Sequence, residues 1–275
     1  MDLLALGLPL WWLQIVAFVF GLIIGSFLNV YIYRFNTGKS LAGRSHCLSC
    51  GMPLRWFDLF PLLSFLLLRS RCRVCGCRIP ARYFAVELLT GLLFVATLTL
   101  STDLWEVLVW FAILSVLVVI LVYDINHFII PDALTQSVLL LALLEKGYEI
   151  TQGSSFETIG FDLLAALLGA GFFLFLFAVS RGKWLGFGDV KLAFPLGVLV
   201  GYGSVFSFIV LSFWIGAAMS LGIILYQQLK RGQALLQLRS THLTMKSAVP
   251  FAPFLIAGCL TVLFTHFDVL TIFYF

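Results

Sequence analysis

Long apolar runs, separated by short loops in which the basic residues collect, restrict what this chain can fold into before any motif is read. Only 11% of its 275 residues are charged, against about 25% in an ordinary soluble domain. Such a chain folded in water would leave too much apolar surface exposed, so its solvent is largely lipid. A membrane-crossing helix takes roughly 20 apolar residues. Eight segments are candidate helices, at about residues 9–32, 83–100, 104–123, 132–144, 161–179, 190–200, 204–229 and 249–275. The fourth and sixth are short and read as partial or tilted spans. Pro131 suits the first turn of the fourth. The expected fold is an all-α polytopic membrane helical bundle of about eight transmembrane helices. Residues 1–10 carry no positive charge, so the first apolar run reads as a retained helix rather than a cleavable signal.

With eight spans, every Lys and Arg except Lys146 falls in, or at the helix ends beside, the loops after helices one, three, five and seven. The positive-inside rule then makes those loops cytoplasmic and puts both termini on the opposite side. A net charge of +4 spread this way encodes orientation in a lipid bilayer. It is not the pattern of a nucleic-acid groove, and no nucleic-acid partner is expected. The chain divides into residues 1–82, one helix with a basic cysteine-bearing loop, and residues 83–275, a helical bundle with short connections.

Four of the six cysteines form two Cys-x-x-Cys pairs, Cys47 with Cys50 and Cys72 with Cys75, separated by 21 residues. Each pair is followed by a glycine, Gly51 or Gly76, which permits a tight turn that aims backbone N–H groups at sulfur. This spacing is close to that of a four-cysteine zinc site, and a reducing cytoplasmic loop favours metal over disulfides. Zinc is the expected metal. The competing readings are redox-active or unliganded cysteines. His46 and Cys77 are near enough in sequence to compete as ligands, but the two pairs already fill a tetrahedral shell. A closed shell has no open position for catalysis. Cys259 lies in an apolar helix and reads as a small core residue.

Carboxylates at membrane depth are costly and mark functional sites by default. Asp124 ends the third helix, and Asp132 closes the same segment. Asp189 opens the sixth helix in Gly186-Phe187-Gly188-Asp189-Val190-Lys191. By topology all three lie in the cytoplasmic half of the membrane. Two carboxylates sharing a site cannot both ionise cheaply, which suits peptide hydrolysis: one takes a proton from water and the other gives one to the carbonyl oxygen. Asp124 and Asp189 are the expected pair, with His127 and Lys191 as candidate counter-charges. Plainer readings make Asp189 an N-cap, Asp132 a helix-start or substrate-orienting residue, and Asp124 an interfacial residue reaching head groups. Gly186 and Gly188 leave room for a substrate strand beside Asp189.

Taken together, these segments resemble the type IV prepilin peptidase family of intramembrane aspartic proteases, also called prepilin leader peptidase/N-methyltransferase. The resemblance runs through Gly25-Ser26-Phe27-Leu28-Asn29-Val30, Tyr33-Arg34, both cysteine pairs and Asp58-Leu59-Phe60-Pro61-Leu62-Leu63-Ser64-Phe65. It continues through Arg82-Tyr83, Glu87-Leu88-Leu89-Thr90-Gly91, Asp124 to Asp132, the Gly186–Lys191 segment and Pro250-Phe251-Ala252-Pro253-Phe254. It implies an enzyme of the bacterial cytoplasmic (inner) membrane. Its substrates would be prepilins or pseudopilins, whose basic leader is cut after a glycine at the cytoplasmic face; the new N-terminal amine is then methylated with S-adenosylmethionine. Catalysis would fall to Asp124 and Asp189, and zinc to Cys47, Cys50, Cys72 and Cys75, within a methyltransferase-associated part at residues 1–82. No glycine-rich fingerprint marks where the methyl donor binds. A proton-relaying transporter would explain the aspartates but not the cysteine loop, and a zinc-bearing scaffold would explain the loop but not the aspartates.

Overall fold

A computed structural model describes residues 3–37, 40, 43–231 and 250–274. Among them the elements are helical, and β-structure is limited to two isolated bridges, His46 with Pro53 and Arg71 with Arg78. The α-helices are α1 (Leu10–Arg34), α2 (Leu63–Leu67), α3 (Arg82–Thr97), α4 (Leu104–His127), α5 (Asp132–Thr151), α6 (Phe156–Ser180), α7 (Phe187–Val200), α8 (Val205–Arg231) and α9 (Ala252–Thr265). A helix thus stands at each of the eight expected positions, with α2 added inside the cysteine loop. Four are long and apolar enough to cross a membrane: α1, α4, α6 and residues Val205–Tyr226 of α8. The basic loop expected after the seventh helix falls largely at residues 232–249, outside the described residues.

The chain forms two compact units, Met1–Val122 and Tyr123–Phe275. The sequence suggested a division at 82/83, between a cysteine-bearing part and a bundle. The first unit extends past that point because α3 lies directly on α1. Three glycines make the contact possible. A Cβ on Gly21 would stand 2.8 Å from the Gly91 Cα, one on Gly25 2.8 Å from the Glu87 Cα, and one on Gly91 2.9 Å from Leu22. Backbones can approach this closely only where side chains are missing, which is how helices associate in lipid. Phe94 stacks on Phe111 at 3.9 Å, tying the first half of α4 into the same unit.

In the second unit the short helix α7 packs against α5, α6, α8 and α9. Its residues from Asp189 to Leu199 are almost all buried, which explains why so short an apolar segment is helical. Gly197 lets the helix touch Ala166 of α6, where an added Cβ would sit 2.9 Å from the Ala166 Cα. The fourth helix does not stop near residue 144, as the apolar pattern suggested, but runs to Thr151. Lys146 is the reason. Its buried amine pairs with Glu149 at 3.0 Å and with Asp162 of α6 at 3.0 Å, so the charges satisfy one another and the helix continues through them. Asp162 also accepts the Tyr202 N–H at 2.7 Å. The one Lys or Arg outside the four basic loops is therefore held in a buried ionic cluster.

Candidate functional site

The cysteine loop folds as two copies of one turn, twenty-five residues apart. In the first, the Cys47 N–H donates to the Met52 carbonyl (2.9 Å), Gly51 N–H to the Cys47 carbonyl (2.9 Å) and Leu54 N–H to the Ser45 carbonyl (2.8 Å). In the second, Cys72 N–H donates to Cys77 (2.8 Å), Gly76 N–H to Cys72 (2.9 Å) and Ile79 N–H to Ser70 (2.7 Å). Gly51 and Gly76 have φ of +72° and +69°, the left-handed region that glycine enters without strain. The two turns bring the sulfurs of Cys47, Cys50, Cys72 and Cys75 within 4.8 Å of one another.

That donor set fits a tetrahedral ion. Zinc–sulfur bonds of about 2.3 Å place ligand sulfurs about 3.8 Å apart, and Cys47 Sγ lies 3.9 Å from Cys75 Sγ. At the first cysteine of each pair the backbone favours the thiolate: N–H groups of Cys50 and Ser49 aimed at Cys47 pull its thiol down to about 6, and those of Cys75 and Val74 lower that of Cys72. Cys77, 3.5 Å from Cys47, occupies the position that Met52 holds in the first turn. A hydrogen bond from Ser49 works to lower its pKa, but hydrogen bonding with Cys75 and Cys47 prevails and its thiol is pushed up to about 11. His46 turns its ring toward the Arg44 carbonyl at 3.4 Å, while its backbone makes the bridge to Pro53.

The acidic residues lie in the second unit. Asp124 sits in the last turn of α4, which runs on to His127, and is 4% exposed. It accepts a hydrogen bond from the Ala252 N–H. Asp189 is 7% exposed and lies three residues beyond Gly186, which is the N-cap of α7. Its Oδ2 reaches back to accept the Gly186 N–H at 3.0 Å, as the acidic member of a capping box does. The N-cap role weighed for Asp189 thus belongs to Gly186. Asp124 lies near enough to Asp189 for its charge to act on that carboxylate. Asp124 Oδ2 and Asp189 Oδ1 are buried with no hydrogen-bond partner among the described residues.

Asp132 does not join them. Its side chain is 62% exposed and pairs with Lys191 at 2.5 Å. Lys191, a candidate counter-charge for the aspartates, is thereby taken up, and the His127 ring lies against Tyr123 at 4.5 Å. The space beside Gly188 is not open to a substrate strand, because a Cβ there would meet Ile130 at 3.1 Å. Sequence reasoning had no means of finding the Ala252 N–H, a backbone donor more than a hundred residues from its acceptor.

Comparison with known proteins shows which family the chain belongs to. Residues 19–100 match the bacterial peptidase A24 N-terminal domain and residues 111–221 the type IV leader peptidase family. A prepilin leader peptidase/N-methyltransferase of Aeromonas hydrophila is 34% identical over 94% of this chain and 93% of its own length. One from Burkholderia pseudomallei is 30% identical over 90% and 84%. A type 4 prepilin-like proteins leader peptide-processing enzyme of Escherichia coli is 37% identical over 69% and 77%. No solved structure gives a significant match. With near full-length similarity to such enzymes, and both family domains in order along the sequence, the chain belongs to the prepilin leader peptidase/N-methyltransferase family.

Proposed function

We propose that this protein removes the basic leader of type IV prepilins or pseudopilins at the cytoplasmic face of the bacterial inner membrane, using Asp124 and Asp189. The same protein then methylates the exposed N-terminal amine with S-adenosylmethionine. The observation that carries the reading is the buried aspartate pair, each member offering one carboxylate oxygen that no group among the described residues satisfies. Burying unsatisfied carboxylate is expensive, and folds retain it where chemistry requires it.

The ionised carboxylate removes a proton from a water molecule, and the resulting hydroxide adds to the scissile carbonyl carbon. The protonated carboxylic acid donates to the carbonyl oxygen. Collapse of the tetrahedral intermediate breaks the C–N bond, and the leaving amine takes a proton from the pair. The Gly186 and Ala252 N–H groups orient the carboxylates through their other contacts. In the second activity, S-adenosylmethionine supplies an electrophilic methyl group when bound. Cys47, Cys50, Cys72 and Cys75 would hold zinc in a closed shell, fixing the two turns rather than taking part in reaction. Eight spans, with the cysteine loop cytoplasmic and both termini periplasmic, complete the arrangement; the distribution of Lys and Arg supports it.

The test is to incubate the purified, detergent-solubilised protein with a prepilin, with and without S-adenosylmethionine, and weigh the products by mass spectrometry. Loss of the leader in both samples, and an added methyl group only with the donor, is expected. A prepilin left intact refutes the peptidase reading.

A further inference from the structure

We propose that the segment between the two cysteine pairs, residues 56–68, re-enters the membrane and seats its apolar face among phospholipid acyl chains, in the leaflet where α1 ends.

The sequence marks this segment off. Thirteen residues, Trp56 to Leu68, stand between Arg55 and Arg69, and Asp58 is their only charge. The run is too short to span, which takes about 17–25 apolar residues, and its length suits a re-entrant or interfacial piece. Asp58 is neutralised from outside the segment, accepting from Arg73 Nε at 3.1 Å and Nη2 at 2.8 Å. Arginine at each end can keep its charge at the head groups while its stem reaches inward.

Contacts with two helices set the depth. In α1, Trp11 and Trp12 stand near one end, and Tyr31 and Tyr33 near the other. Tyr31 follows Trp11 by 20 residues, about 30 Å of helix, which is the thickness of the hydrocarbon core. Aromatic girdles of this kind mark the two membrane surfaces. Ser26 comes five residues before Tyr31, about 7 Å to the lipid side of it. Glu87 of α3 hydrogen-bonds Ser26, and its Oε2 accepts the Leu62 N–H at 2.9 Å. Leu62 is thereby held level with acyl chains. The chain reverses there: Leu62 has φ +57° and ψ −49°, and the Leu63 N–H closes onto the Pro61 carbonyl at 2.6 Å, close to a γ-turn. Helix α2 then climbs back, and Phe65 meets Phe84, nearer the start of α3, with ring centres 5.3 Å apart.

A backbone in lipid must have its polar groups satisfied by protein. The N–H groups of Leu63, Ser64 and Leu66 donate to the carbonyls of Pro61, Phe60 and Leu62. The Leu62 N–H, at the reversal, has the Glu87 carboxylate instead. In a loop bathed by water, solvent would serve that donor; at membrane depth a protein acceptor has to be supplied.

The outward face is apolar. Leu63, Leu66 and Leu67, neighbours on one side of a helix, are 60%, 60% and 82% exposed. Leu59, Phe65 and Leu68 line the cavity on the inner side instead. A contiguous exposed apolar face marks a partner surface. Near the same depth α1 presents Ile23 and Phe27, each about half exposed, so the surface adjoining this face is the one α1 already turns to lipid. Cys50 and Cys72 flank the segment, and the four clustered sulfurs close the neck of the re-entrant loop.

The test uses full-length protein in phosphatidylcholine nanodiscs that contain a phospholipid with a diazirine in its acyl chain. After irradiation, adducts are mapped by mass spectrometry. Label on residues 60–67, at a yield comparable to that on Ile23 and Phe27, is expected. Leu67→Asp supplies a second readout: in water so exposed a position would tolerate it, but in lipid it lowers the melting temperature in nanodiscs by about 5 °C and depletes the label at residues 60–67. Adducts on α1 with none at residues 60–67 overturn the proposal. So does a folded Leu67→Asp whose melting temperature and labelling match the wild type. A second copy of the chain seated on this face would also keep the label away; native mass spectrometry of the nanodiscs would then count two chains, and the lipid assignment falls.

Discussion

The cysteine cluster and the aspartate pair are built by opposite means. Each cysteine turn closes within ten residues through its own backbone hydrogen bonds and one glycine at positive φ. The turns lie at the surface, and Cys50 and Cys75 are exposed. The aspartates come from helix ends 65 residues apart, and the N–H that Asp124 accepts comes from a third helix start, at Ala252. They are buried in apolar packing. A locally closed motif survives changes elsewhere in the fold but depends on its ligand. A site assembled by long-range packing needs no ligand but depends on every helix around it.

Substitution of the aspartates is expected to have the largest effect. Asp124→Asn or Asp189→Asn should reduce prepilin cleavage by about 10²–10⁴-fold, the range for loss of a general acid or base, with the protein still folded and binding donor. Asp132→Asn, which breaks only an exposed pair with Lys191, should cost less than about tenfold, because such pairs contribute little. Equal loss in all three would erase the distinction between the buried site and the surface charges beside it. Quantitative cleavage assays on purified variants decide.

Paired Cys47→Ser and Cys50→Ser should abolish metal binding, read as a fall from about one zinc per chain to near none by elemental analysis. Full occupancy in that variant would break the assignment of the cluster. Cys77→Ser should keep its zinc.

Two glycine substitutions sharpen the contrast further. Gly188→Ala drives a methyl group against Ile130 and shifts the first turn of α7, so cleavage should fall about tenfold, as expected for a small displacement of a catalytic group. Gly51→Ala meets no neighbour within 4 Å, and its cost is conformational alone, at φ +72°. It should loosen the first turn by about 1–2 kcal/mol, the penalty for a left-handed non-glycine residue, seen as faster zinc release to a chelator with cleavage unchanged. Gly76→Ala should behave like Gly51→Ala if the two turns are true repeats.

The smallest effect is expected at Gly147, which lies in a helix with open space around it. Gly147→Ala should raise stability by up to about 1 kcal/mol through helix propensity, measured by thermal unfolding in detergent.

The sequence by itself determined what depends on neighbours along the chain. The helix positions follow from apolar runs, since a backbone in lipid must satisfy its own hydrogen bonds. The cysteine turns follow from Cys-x-x-Cys-Gly, and Asp124 and Asp189 stand out in the sequence because charge at an apolar helix end has few other uses. Tertiary structure alone decided the rest. The helix at 145–151 forms because Lys146 finds Asp162 on another helix, which no local pattern announces. Lys191 goes to Asp132 rather than to the buried pair. Gly188 makes room for Ile130, and Gly25 for Glu87, because a missing side chain acquires meaning only when another backbone or side chain arrives beside it. The Ala252 N–H reaches Asp124 for the same reason. Backbone donors are identical in every sequence, so only the fold can say which of them faces a carboxylate.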